Sequence, residues 1–222
     1  MRAARLFALA VGFAFAAVSA RAGELTFVSI SMQELNWMFD ASCGPGTTDS
    51  VALIPLAGVN GRAAVHTRTI PGGDLSRGAG KVAFLYRVNL TAALGGRCVN
   101  ALKLPFGTIE KMPYTERGPY ADLFVVTSGS LGSIGLSGAE RSGNNVVVTF
   151  SKPICAGARP GEGESSLFFG LSAAEAPKQA WAEVDVAGAS STGVQVRSAP
   201  AAEEPKPQSQ SSERHGRKKR RP

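Results

Sequence analysis

The sequence predicts an all-β protein, an antiparallel β-sandwich of short strands with a disordered C-terminal tail. Three observations predict it. Glycine (26 residues) and proline (13) punctuate the 222-residue chain together with Asn and Ser clusters, at the close spacing that separates short strands. Several apolar runs alternate with period two, as half-buried strands do. Between residues 23 and 200, no stretch holds a convincing helical period for more than two turns.

The elements follow in chain order. The opening "MRAARLFALAVGFAFAAVSARAGELTF" places Arg2 and Arg5 before an apolar run from Leu6 to Val18, then Ala20-Arg21-Ala22. A positive start, a short apolar stretch and a small-x-small site make residues 1–22 a removable secretory signal, cut near Gly23 or after Ala20. The run is too short to span a bilayer comfortably. The mature chain is thus expected to be secreted, periplasmic or extracellular, with no transmembrane segment after signal removal.

Residues 23–200 suit one β-sandwich domain. "MQELNWMFD" supplies a single helical turn through Met32, Leu35 and Phe39. "KVAFLYRVNL" is the clearest strand: Val82, Phe84, Tyr86, Val88 and Leu90 share one face, and Lys81, Arg87 and Asn89 make the other face polar. "CVNALKLPF" aligns Cys98, Leu102, Leu104 and Phe106, with Asn100 among them. "NVVVTFS" aligns Val146, Val148 and Phe150 after the turn-forming "GNN". The runs "LTFVSIS", "SVALIPL", "AAVHTRTI", "ADLFVVT", "SLFFGLS", "AWAEVDV" and "GVQVRS" are further strands.

Charge is unevenly placed. The formal +7 falls to +4 once the three arginines of the leader are removed, and residues 201–222 carry that +4 alone. The body is neutral, so it has no electrostatic footprint for sequence-specific nucleic-acid binding. The tail lacks aromatic and large aliphatic residues and is expected to be disordered. It ends in a cationic run: Arg217, Lys218, Lys219, Arg220 and Arg221 are its candidate contacts with anionic envelope polymers or surfaces, such as lipopolysaccharide, cell-wall polymer or extracellular DNA. Such attraction is sequence-blind and screened within about 10 Å at 0.1 M salt. The plain alternative is a solubilising, protease-sensitive extension.

Three cysteines remain after export, and in an oxidising compartment two of them pair. Cys98 lies on the apolar face of its strand and Cys155 shortly follows the strand ending at Ser151, so these two are the favoured pair. Cys43, in the Gly-Pro turn "ASCGPGTT", is left as a free thiol. No zinc spacing accompanies them.

Little catalytic chemistry is legible, and no metal or cofactor motif appears. His215 sits in the tail, and His66 shares a solvated strand face with Arg68. No GxSxG elbow is present. "GSLGSIG" lacks the Gly-Lys-Ser/Thr of a phosphate loop and is better taken as a tight β connection. "GARPGEGESS" is a polar loop. Glu162 with Glu164, or Glu183 with Asp185, could serve a secreted glycosidase-like hydrolase, which is the alternative to a non-enzymatic module. With Trp37, Trp181 and three tyrosines, no stacking platform is evident.

"YRVNLTAALGGRCVNALKLPFG", "ADLFVVTSGSLGSIGLSGAE", "VVVTFSKPICAG" and "ESSLFFGLSAAEAPKQAWAEV", in this order, resemble a family of uncharacterised secreted bacterial β domains often found in surface-sorted exported proteins. The resemblance spans about residues 80–185. It implies export and supports pairing Cys98 with Cys155, but implies no activity. The chain departs from the family by lacking a terminal Pro-Glu-Pro sorting signal. It also has "YTERGPYAD" in place of Asp/Gly-rich segments, which argues against a metal at Asp122. The resulting expectation is an exported structural or binding module of the cell envelope or extracellular space.

Overall fold

The computed structural model describes residues 23–40, 48–129 and 132–200. In chain order it forms β1 (Gly23–Glu24), β2 (Phe27–Ile30), α1 (Met32–Phe39), β3 (Thr48–Leu53), β4 (Asn60–Pro71) and β5 (Val82–Leu94). Then come β6 (Cys98–Pro105), β7 (Met112–Pro113), β8 (Tyr120–Ala121), β9 (Leu123–Val126) and β10 (Leu136–Ser142). The last are β11 (Asn145–Cys155), β12 (Phe168–Ala173), β13 (Lys178–Val186) and β14 (Thr192–Ser198). One sheet has the order β1-β10-β11-β6-β13-β14, the other β2-β9-β12-β5-β4-β3, and β7 and β8 form a small ribbon. Pairing is antiparallel apart from β2 with β9. The all-β sandwich expected from the sequence is the observed fold, although three of its strands reach 11 to 13 residues.

The two sheets meet through the residues that period two places together. From β5, Phe84, Tyr86 and Val88 face Leu102 and Leu104 of β6, Val146 and Val148 of β11 and Val184 of β13, all fully buried. Phe84 meets Phe106 edge-on at 5.5 Å between centroids, and Phe150 of one sheet meets Phe169 of the other at 6.2 Å. Each such side chain contributes about 1.5–3 kcal/mol by leaving water. The outer face of the first sheet stays wet: β13 alternates exposed Trp181, Glu183 and Asp185 with buried Ala182, Val184 and Val186.

Part of the second sheet is buried on both faces, which the polar reading of the far side of β5 did not anticipate. Ala83 and Leu85 point away from the sandwich core into a second cluster with Ile30, Phe124, Tyr114 and the buried face of α1. The expected single turn is an eight-residue helix. It starts because Ser31 accepts the N–H of Glu34 while the Glu34 carboxylate accepts the N–H of Ser31, a reciprocal capping box. It stops at Asp40, which adopts the left-handed conformation at φ 53°. Leu35, Met38 and Phe39 then bury on the sheet. Gly170 makes the packing possible from below: a Cβ there would lie 2.4 Å from the Phe124 ring and 2.9 Å from the Phe84 carbonyl.

Cys98 and Cys155 form a disulfide, directly opposite each other on β6 and β11. The segment after Cys155 is less loop-like than its composition implies. Glu164 accepts the Cys155 N–H at 2.9 Å, and Ser166 Oγ accepts the buried N–H of Val88 at 3.0 Å. These bonds tie the segment to both sheets.

Candidate functional site

The two edge strands β3 and β14 close opposite sheets on the same side of the sandwich. Each is the last strand of its sheet. Between them lies an open apolar groove of about 790 Å³ whose walls include Leu53, Pro55, Val59, Trp181 and Val194. A bulge in the pairing of β4 with β5, between Arg62 and Ala64, bends β4 where it borders the groove. Gly61 is required there: its φ is +85°, and a Cβ would lie 2.2 Å from the Ala92 carbonyl oxygen. Leu53 is 62% exposed and Trp181 71% exposed, while Trp181 rests beside Gly193 on the neighbouring strand. Large apolar surface left in water beside unpaired sheet edges is the usual anatomy of a recognition surface.

Two arginines adjoin wall residues of the groove without lining it. Arg97 Nε donates to the carbonyl of Ala57, a wall residue, at 3.2 Å, and Arg62 follows Gly61 in β4. Neither arginine forms an ion pair among the described residues.

Around the corner of β3, the outer face of the second sheet carries a smaller polar hollow. Val51, His66 and Arg87 lie side by side in the registers of β3, β4 and β5. His66 faces Asn89 at 3.4 Å. Burial holds the His66 imidazole below its ordinary pKa, the Arg87 and Arg62 charges push the same way, and Asp49 opposes them. Asp49 itself is lowered, because Arg68 donates to both its oxygens at 2.6 and 2.7 Å.

The carboxylate pairs considered for hydrolysis are engaged elsewhere. Glu164 takes Lys152 at 2.6 Å and the Cys155 N–H, and these bonds lower its pKa. Glu162 accepts the N–H of Arg159. Lys103 bonds Glu183 at 2.9 Å and lowers it, and Asn100 donates to Asp185 at 3.1 Å. A general acid requires a raised pKa, and the two shifts in these pairs run downward. Asp122 is buried, accepts from Thr26 and pairs with Lys111 at 3.3 Å. Among the described residues there is no group of three or more His, Cys, Asp or Glu able to hold a metal, and no helix is long and apolar enough to cross a membrane. Cys43 and the cationic run Arg217, Lys218, Lys219, Arg220 and Arg221 lie outside the described residues.

Sequence reasoning missed Leu53, Trp181 and Arg87. Leu53 looks like an ordinary strand residue, and Trp181 alternates with buried alanine and valine as any surface position does. Only the sheet order shows that Leu53, on the edge strand β3, and Trp181, on β13 next to the edge strand β14, come to one side.

Fold and groove together define a class by structure: a disulfide-linked β-sandwich with an open apolar groove beside the edge strands of its two sheets. No protein-family model matches the chain, and neither does any curated protein or solved structure.

Proposed function

We propose that this protein is an exported binding module that takes an extended polypeptide segment of another protein along the β3–β14 side. The observation that carries the reading is the apolar groove with Leu53 and Trp181 exposed between two sheet edges. An added strand would satisfy backbone groups at an edge and place alternate side chains in the groove. Arg97, bonded to the carbonyl of wall residue Ala57 and in no ion pair among the described residues, favours a partner with acidic residues flanking its apolar ones. Export rests on the leader-like residues 1–22 and agrees with the disulfide, which persists in oxidising compartments. The resemblance to secreted bacterial β domains points the same way. The basic tail would add sequence-blind attraction to anionic surfaces.

Selection of a displayed random-peptide library against the mature protein tests the binding reading. The expected result is enrichment of segments alternating apolar residues with Asp or Glu, whose binding falls at least tenfold with Leu53→Asp or Trp181→Ala. Failure to enrich such segments, or equal binding by both variants, would overturn it. Dimerisation of the protein abolished by Leu53→Asp would instead make a second copy the occupant. An envelope or culture-medium form beginning near Gly23, read by intact mass, tests export separately.

A further inference from the structure

The groove does not end at Ala57. Pro55, Leu56 and Ala57 form a ridge that also walls a second hollow, of about 260 Å³, bounded by the turn between β13 and β14. That turn is fixed in shape. Gly188 takes the left-handed φ of +67°. Ala189 donates its N–H to the Val186 carbonyl at 3.1 Å, and Ala187 donates to the Cys98 carbonyl at 2.9 Å. The turn brings Ser190 and Thr192 into the walls of the hollow together with Arg97.

Arg97 is held at both ends. Its carbonyl accepts the Ala156 N–H at 2.8 Å, and the next residue is bridged to Cys155, so its backbone is tied to the end of β11. Its Nε donates to the Ala57 carbonyl on the ridge at 3.2 Å, which sets the guanidinium where groove and hollow meet. A bond through Nε leaves the two terminal nitrogens for other acceptors. The five ion pairs among the described residues do not include Arg97, and no wall residue of the hollow is acidic. Glu183, reached from the turn by Ser191, is already met by Lys103 at 2.9 Å. A fixed cation beside two hydroxyls, with no carboxylate among the walls, is the donor set that a carboxylate requires.

We propose that this hollow is the carboxylate subsite of the groove. An extended segment that sets apolar side chains against Leu53 and Trp181 continues over the ridge and places one carboxylate on the terminal nitrogens of Arg97. That carboxylate belongs to an Asp or Glu side chain or to the chain end, and the hydroxyls of Ser190 and Thr192 are its further donors. At about 30 Å³ per water, the hollow has the volume of roughly nine waters, enough for an acidic side chain. The subsite rests on the peptide-binding reading and adds to it a fixed place for one acid, hence a direction for the bound segment. A guanidinium immobilised before the ligand arrives loses less freedom on binding than a mobile one.

The test uses the mature full-length chain and the segments that library selection enriches. Each segment is compared with counterparts in which Asp or Glu becomes Asn or Gln, or in which the C-terminus is amidated. With the parent, one such neutralisation is expected to weaken binding about tenfold, as the loss of a charge-assisted bond does. Damage by amidation identifies a chain end, and damage by Asn or Gln identifies a side chain. With Arg97→Gln the acidic segment should bind as weakly as its neutral counterpart binds the parent, and neutralisation should then cost little more. A full neutralisation loss retained in Arg97→Gln would overturn the subsite while the groove reading stands. Equal binding of charged and neutral segments by the parent would do the same. Enrichment of no segment would remove the groove reading and the subsite with it. If Arg97→Gln does not fold, the Arg97 Nε–H resonance of the parent decides. It should shift with the acidic segment and not with its neutral counterpart, and identical shifts would overturn the proposal.

Discussion

The hydroxyl of Tyr86, on the central strand β5, donates to the carbonyl of Arg197 on the edge strand β14 at 2.8 Å. One polar bond thereby crosses the apolar core and joins the two sheets beside the groove. Burial raises the Tyr86 pKa well above the usual tyrosine value, so the residue remains a neutral donor. Tyr86→Phe keeps the ring and removes the bond. It is expected to cost about 1 kcal/mol, within the ordinary range for one intramolecular hydrogen bond, read from urea unfolding at neutral pH.

The Cys98–Cys155 bridge encloses a chain separation of 57 residues. The chain-entropy account gives such a closure about 4 kcal/mol. The double variant Cys98→Ala, Cys155→Ala should unfold at markedly lower urea than the parent. The parent under reducing conditions should approach the variant, and identical midpoints for all three would show that the strand pairing of β6 with β11 suffices without it.

Glu164 provides a pH signature. Lys152, and then the Cys155 N–H, hold its carboxyl below the ordinary glutamate value. A depressed folded pKa contributes stability above the unfolded value of about 4.3 and loses it as pH falls through the folded one. Glu164→Gln should therefore melt lower than the parent at pH 7, with the difference shrinking below pH ~4 and gone once the carboxyl is protonated in both states. Melting curves from pH 7 to pH 2 check this.

Ser31 caps the one helix. Ser31→Ala removes the side chain that accepts the Glu34 N–H and should cost about 1 kcal/mol. Because α1 covers the second cluster rather than the sandwich core, amide exchange is expected to quicken in α1 while β6 and β11 remain protected.

The tail makes a separable prediction. Removing residues 201–222 is expected to abolish retention on an anionic polymer matrix at low salt, since the body is electrically balanced. Equal retention by the truncated protein would assign that attraction to the sandwich.

Much of the fold was legible because period-two alternation is local. Phe84, Tyr86 and Val88 declare a buried face whatever they pack against, and the place of Cys98 and Cys155 near strand ends suggested the bridge, although Val99 takes the buried position expected for Cys98. The candidate sites were not legible in the same way. Leu53 and Trp181 are 128 residues apart in the chain and line one groove because Leu53 lies on the edge strand of one sheet and Trp181 on the strand beside the edge of the other. Arg87 belongs to the polar far face of β5 in sequence, yet it is buried, with its guanidinium 5.3 Å from the ring of Phe168, 81 residues away.

By itself, then, the sequence determined the β class, the alternation that aims side chains inward or outward, the leader-like start and the charge imbalance of the ends. Each of these depends on neighbours a few residues apart. Only the tertiary structure decided which strands became edges, that a helix would bury part of the second face of one sheet, and which apolar side chains would share one groove. Those features are set by burial and pairing between distant segments, quantities that no local pattern contains.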